Sequence, residues 1–152
     1  MKAAALLLPL SPDKNLCPNQ AFYQGIEVAM TKILVIEDNA IVRNTVTRIL
    51  QSAGYAVVTA NDGLQGFEMF RKEEPDLVIS DIIMPQQEGI GTIRQILAER
   101  PDAKIIAISG GGRIGNIDFL SIARKMGAAD ALSKPFDPED LLGRISTLLK
   151  AA

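Results

Sequence analysis

The stretch from Asp76 to Pro85, D-L-V-I-S-D-I-I-M-P, constrains the chain most. Leu77, Val78 and Ile79 are consecutive apolar residues with no alternation, the pattern of a parallel strand buried on both faces. The run gives way to Ser80 and Asp81, and Met84-Pro85 stops the strand. Gly89 falls in the following loop or the opening of the next helix. A carboxylate placed straight after such a run stands at the carboxyl end of the strand, where open α/β sheets build their sites. Taken alone, Asp81 reads equally well as the cap of a turn or helix.

Distant segments shift that balance. Lys32 to Ile36 (KILVI) is a second buried-strand run and ends in Glu37 and Asp38. Lys104 to Ile108 (KIIAI) ends at Ser109, and the short run from Ala131 to Ser133 ends at Lys134-Pro135. An acid pair, a single Asp, a hydroxyl and a Lys therefore all close strands, and parallel strands bring those ends to one edge. Three carboxylates gathered there repel one another and call for a cation. Oxygen ligands, with no His in the chain and Cys17 as the lone cysteine, favour Mg²⁺ over zinc or copper.

The intervening segments read as helices. Asn39 to Ala53 carries Ile41, Val42, Val46, Ile49 and Leu50 toward the core, with Gly54 as its stop. Tyr55 to Ala60 is a strand. Asp62 caps a helix whose apolar face is Leu64, Phe67 and Phe70. A helix from about Glu88 to Arg100 buries Ile90, Ile93 and Leu97, and one from about Asn116 to Met126 buries Ile117, Phe119, Leu120 and Ala123. Asp137-Pro138 opens the last, with Leu141, Leu142, Ile145, Leu148 and Leu149 at helical spacing. Residues 1–29 differ: Pro9, Pro12 and Pro18 argue against a long helix, and Phe22 to Met30 reads as a short helix or an extended lead-in. Lys2 and the apolar run to Leu10 only faintly suggest a signal peptide, since Pro9 interrupts the run and no A-x-A site follows.

Glu37-Asp38, Asp81 with Met84-Pro85 and Gly89, Ser109, and Lys134-Pro135-Phe136 match in type, order and spacing the receiver domain of two-component response regulators. Over about residues 31–150 the chain resembles that family, particularly its single-domain, chemotaxis-type members. The resemblance implies an α/β fold, a (βα)5 doubly wound, five-stranded parallel sheet of flavodoxin-like order 2-1-3-4-5. It implies that Asp81 is the phosphoacceptor and that Mg²⁺ is held by Asp38, Asp81 and the backbone carbonyl of Ile83, with Glu37 acting through a water. Lys134 pairs with a phosphoryl oxygen, the Lys134–Pro135 bond is cis, and the Ser109 hydroxyl and Gly110 amide receive the phosphoryl group. The expected partners are a histidine kinase or phosphotransfer protein and a downstream protein target. Residues 30–152 form the receiver with no output domain after it, and 1–29 is an appendage, either a flexible arm or an upstream mis-start.

Such a protein promotes its own aspartyl phosphorylation and dephosphorylation without being a turnover enzyme, and works in the cytoplasm. A net charge of −2 and a pI near 5.2 offer no basic field for direct nucleic-acid binding, and no apolar stretch is long enough to span a membrane. Three departures from the family stand out. Glu37 replaces the commoner Asp, Gly110 to Gly112 lengthen the loop after Ser109, and Ala131 stands where the family carries Tyr or Phe. That ring normally swings inward on phosphorylation, so its loss points to output through ordering of Gly110 to about Phe119. It also raises an alternative, a phosphorylation-independent binding module on a receiver fold. Two rivals are weaker. Gly110, Gly112 and Gly115 satisfy G-x-G-x-x-G, but late in the chain and without using the carboxylates. An Asp-nucleophile phosphohydrolase needs a second acid at residue 83, which is Ile.

Overall fold

A computed structural model describes residues 22–23, 26–27, 30–82, 88–110, 113–114 and 117–150. Five strands make the central sheet: β1 (Lys32–Ile36), β2 (Ala56–Ala60), β3 (Leu77–Asp81), β4 (Ile105–Ser109) and β5 (Asp130–Ser133). They are all parallel and run in the spatial order β2-β1-β3-β4-β5, as expected. The helices are α1 (Ala40–Ser52), α2 (Gly63–Glu73), α3 (Glu88–Glu99), α4 (Phe119–Lys125) and α5 (Pro138–Lys150).

Both faces of the sheet are covered, which is why its strands are written as unbroken apolar runs. Leu34, Ile36, Val78, Ile105 and Ala107 face Phe70 of α2, Ile93 and Ile96 of α3 and Ala123 of α4. Their alternates Ile33, Val35, Leu77, Ile79, Ile106 and Ile108 face Val46 and Leu50 of α1 and Leu141 and Ile145 of α5. Each fully buried aliphatic side chain contributes about 1.5–3 kcal/mol relative to exposure. Asn39 caps α1 by accepting from the Ile41 and Val42 amides, and Asp62 caps α2 by accepting from the Gln65 amide. Gly54 sits at φ +94°, the left-handed turn that ends α1.

Several expectations need correction. Ile41 and Leu64 are not core residues; they are 78% and 70% exposed. At about 100° per residue Ile41 stands about 140° around α1 from Val46, and Leu64 about 120° around α2 from Phe70. Both lie in first turns. The helix expected from Asn116 begins at Phe119, because Arg113–Ile114 pairs antiparallel with Ile117–Asp118 and engages that backbone in a ribbon. The Asp118 carboxylate then accepts from the Ser121 amide at 3.4 Å and opens α4. Phe22–Tyr23 pairs antiparallel with Ile26–Glu27, so the extended reading of that lead-in holds for those residues. The buried face of α3 also includes Ile96 and Thr92, beyond the residues anticipated.

Candidate functional site

The site follows from strand register. Ile36 pairs with Ser80, Asp81 with Ile108, and Ser109 with Ser133. One residue past each pairing stand Glu37 and Lys134, so Glu37, Asp81, Ser109 and Lys134 form a row across the carboxyl edge. Backbone bonds fix the row: Glu37 N–H donates to Ala60 O at 3.0 Å, Ile82 N–H to Ile108 O at 2.9 Å, and Lys134 N–H to Ser109 O at 2.8 Å.

Glu37 and Ser109 are fully buried and Asp81 is 3% exposed, while Asp38 is exposed. Carboxylate oxygens of Glu37, Asp38 and Asp81 lie within 4.8 Å of one another. At that separation two ionised carboxylates repel by roughly 3–4 kcal/mol for an effective dielectric near 20. Lys134 answers part of this charge. Its Nζ donates to Glu37 Oε2 at 2.6 Å and to Asp81 Oδ2 at 3.0 Å. Burial opposes the charge on Lys134, yet its bonds to Glu37 and Asp81 outweigh that and raise its pKa. Burial pushes Glu37 up from 4.5 to about 7, against the Lys134 bond and with Asp81 adding repulsion. The two directions agree physically: one ammonium shared by two carboxylates is well satisfied, while each carboxylate receives only part of a charge. The group as a whole remains short of positive charge. All-oxygen donors with that deficit fit a hard divalent cation such as Mg²⁺.

The Lys134–Pro135 peptide is cis, as the resemblance implied. Gly110 follows Ser109 at the edge, and a Cβ added there would meet Lys134 Cδ at 3.6 Å, an ordinary contact. Gly89 belongs to the site by close approach. A Cβ there would meet Asp81 O and Ile82 Cα, both at 2.4 Å, so only glycine lets the start of α3 lie against the end of β3. Ile83, whose carbonyl was expected to ligate the metal, lies outside the described residues, as do Met84-Pro85 and most of the glycine segment after Gly110.

The sequence did not point to Arg43. From α1 its Nη1 donates to Glu37 O at 2.8 Å and Asp38 O at 3.4 Å. The Asn39 amide in turn donates to Glu37 Oε1 at 3.2 Å. Beside this edge an apolar groove of about 480 Å³ runs between the first turns of α1 and the 134–138 turn, lined by Ile41, Val42, Lys134, Pro135 and Phe136 among others. The exposed Ile41 is one of its walls.

Comparison with known proteins places the chain among close likenesses. Residues 33–146 match the family model described as the response regulator receiver domain. A chain named "Probable transcriptional regulator ycf27" from Guillardia theta is 35% identical over 119 residues, 78% of this chain and 45% of its own length. Chemotaxis protein CheY of Treponema pallidum is 36% identical over 122 residues, 78% of this chain and 83% of that one. The crystal structure of a CheY-like receiver domain protein from Methanospirillum hungatei superposes with a TM-score of 0.73 at 28% identity, covering 80% of this chain and 95% of that one. The chain thus spans about half the length of the transcriptional regulators it matches. Their name gives no support to the expectation that nucleic acid is absent from the partners; the acidic charge balance speaks only for these 152 residues. No helix among the described residues is long and apolar enough to cross a membrane.

Proposed function

The chain belongs to the response regulator receiver family, and from that premise we propose that it is a phosphoacceptor signalling protein of a two-component phosphorelay, phosphorylated on Asp81 with Mg²⁺ bound. The observation that carries this reading is the contact of Lys134 Nζ with Asp81 Oδ2 at 3.0 Å inside a group of three carboxylates. An Asp in that setting is oriented and partly neutralised without losing its nucleophilic oxygens.

The donor is a histidine kinase or a phosphotransfer protein, and it approaches along the groove past Ile41 and Pro135. An Asp81 carboxylate oxygen attacks phosphorus in line with the leaving imidazole nitrogen. The P–O bond forms as the P–N bond breaks, and the nitrogen keeps the bonding pair. Asp38 and Asp81 would hold Mg²⁺, with Glu37 at its periphery. Bound there, the ion would offset the negative charge of the nucleophile and of the phosphoryl group. Lys134 turns from the carboxylates to a phosphoryl oxygen, and the Ser109 hydroxyl and Gly110 N–H donate to the others. The reaction is a single self-directed transfer with later hydrolysis, so the protein is not a turnover enzyme. Output passes to a downstream protein, and the setting is the cytoplasm.

One observation favours a second reading, a binding module that works without phosphate. Ala131 is buried in the core beside Ala107, Ala123 and Ala128, so no ring is available to swing there. Its carbonyl accepts from Arg124 at 3.3 Å and Arg144 at 3.4 Å, which ties α4 and α5 to β5. Incubation with acetyl phosphate and Mg²⁺ separates the two. The phosphoacceptor reading expects one added phosphoryl group by intact mass, lost in base and absent in Asp81→Asn. Equal labelling of wild type and variant removes Asp81 from the role, and no labelling of either favours the module.

A further inference from the structure

Arg43 reaches the acidic turn without touching a carboxylate. Its backbone N–H donates to Asn39 O at 2.9 Å, so its Cα stands one helical turn along α1 from the cap. Helical side chains lean toward the N-terminus, and this one leans back over the turn it has left. There Nη1 bonds Glu37 O at 2.8 Å and approaches Asp38 O at 3.4 Å.

Those two oxygens are a telling pair. Glu37 O belongs to the peptide plane entering the Asp38 Cα, and Asp38 O to the plane leaving it. Peptide units are planar, so holding both carbonyls fixes the two backbone torsions at Asp38, and with them the direction of its Cβ. Glu37 and Asp81 are buried and gripped by Lys134. Asp38 is the exposed member of the group, so its carboxylate depends on the backbone for its aim.

We propose that Arg43 is a positioning residue for the cation site: by holding the Glu37 and Asp38 carbonyls it aims the Asp38 carboxylate and sets the affinity for the divalent ion. The inference rests on the Mg²⁺ reading above. Electrostatics alone makes the opposite prediction. A guanidinium near a cation site repels the ion, so its removal would tighten binding if Arg43 acted only as a charge. Loss of aim weakens binding, and outer-sphere partners of metal ligands typically matter by about tenfold or more.

The test is calorimetric titration of the full chain with MgCl₂, using wild type, Arg43→Gln and Arg43→Lys, with melting followed in EDTA. Arg43→Gln should bind Mg²⁺ about tenfold more weakly at unchanged stoichiometry, because the folded fraction is intact and only the site is misaimed. Arg43→Lys, whose ammonium can donate to the same carbonyls from a shorter side chain, should fall between Gln and wild type. Gln binding as tightly as wild type, or tighter, overturns the proposal. So does a fall in stoichiometry with the affinity kept, which would mean a merely structural role. If the Gln variant does not fold, Arg43→Met, which has no donor, takes its place: affinity equal to wild type or tighter means the carbonyl clamp is wrong. Wild type that binds no Mg²⁺ overturns the cation reading itself and this inference with it, whereas equal binding by wild type and Gln overturns this inference alone.

Discussion

Two alanine substitutions in the same helix should have opposite signs. A Cβ at Gly89 meets Asp81 O and Ile82 Cα at 2.4 Å and Ile82 C at 2.7 Å, and all three are backbone atoms. Ordinary carbon contacts begin near 3.5 Å, so α3 must retreat by roughly 1 Å from the end of β3. No rotamer change can absorb this. The retreat would loosen Ile93 and Ile96, both fully buried on that helix. Overpacking of this kind costs about 1–3 kcal/mol or more. Replacing a helical Gly by Ala returns about 1 kcal/mol. With the cost at the upper end, because the contacts are all backbone, the net for Gly89→Ala is a loss of up to about 2 kcal/mol, a fall of up to roughly 1 M in urea midpoint. Gly91 has nothing within 4 Å of its added Cβ, so Gly91→Ala keeps only the propensity gain and should be up to about 1 kcal/mol more stable than wild type. Urea unfolding of both variants in EDTA measures the difference. Gly89→Ala should also be phosphorylated more slowly, because the displaced carbonyl is that of Asp81. Gly89→Ala as stable as Gly91→Ala would refute the close approach and with it the reason for glycine at this site.

Lys134→Ala leaves two buried carboxylates without their shared cation. At pH 8 in EDTA it should lose about 3 kcal/mol, and the loss should shrink toward pH 6 as Glu37 takes up a proton; equal melting at pH 8 contradicts the shared-ion geometry. Acidification should also weaken Mg²⁺. Glu37 is raised to about 7, so its ionised form is nearly complete at pH 8 and mostly lost at pH 6. The competing proton should lower Mg²⁺ affinity about tenfold over that interval, and Glu37→Gln should flatten the profile; a wild-type profile that is already flat argues against the raised value.

The sheet was legible because both faces are covered. Uninterrupted runs such as KILVI and KIIAI leave no other economical reading, and the residues after them, Glu37 and Ser109, belong to the candidate site. Helical faces were less legible at their beginnings. Ile41 and Leu64 are apolar yet point away from the layer that buries Val46 and Phe70, and the apolar groove gives Ile41 a place at the surface instead. The start of α4 was misread because an antiparallel pairing between residues 113–114 and 117–118 is set by backbone bonds, which leave little trace in composition. Arg43 was invisible for a similar reason: its partners are carbonyl oxygens five and six residues back, and any helix has carbonyls and surface arginines. Glu37, Asp81, Ser109 and Lys134 were legible together because each closes a strand run, and the register of the parallel sheet brings those ends into a row.

The central claim is that Asp81, and no other member of the carboxylate group, carries the phosphoryl bond. Its most direct test is site location. The protein is loaded with acetyl phosphate and Mg²⁺, reduced with borohydride to convert the acyl phosphate to a stable alcohol, and mapped by peptide sequencing. Conversion at Asp81 alone is the predicted result. Conversion at Asp38 or Glu37, or none anywhere in the chain, would contradict it.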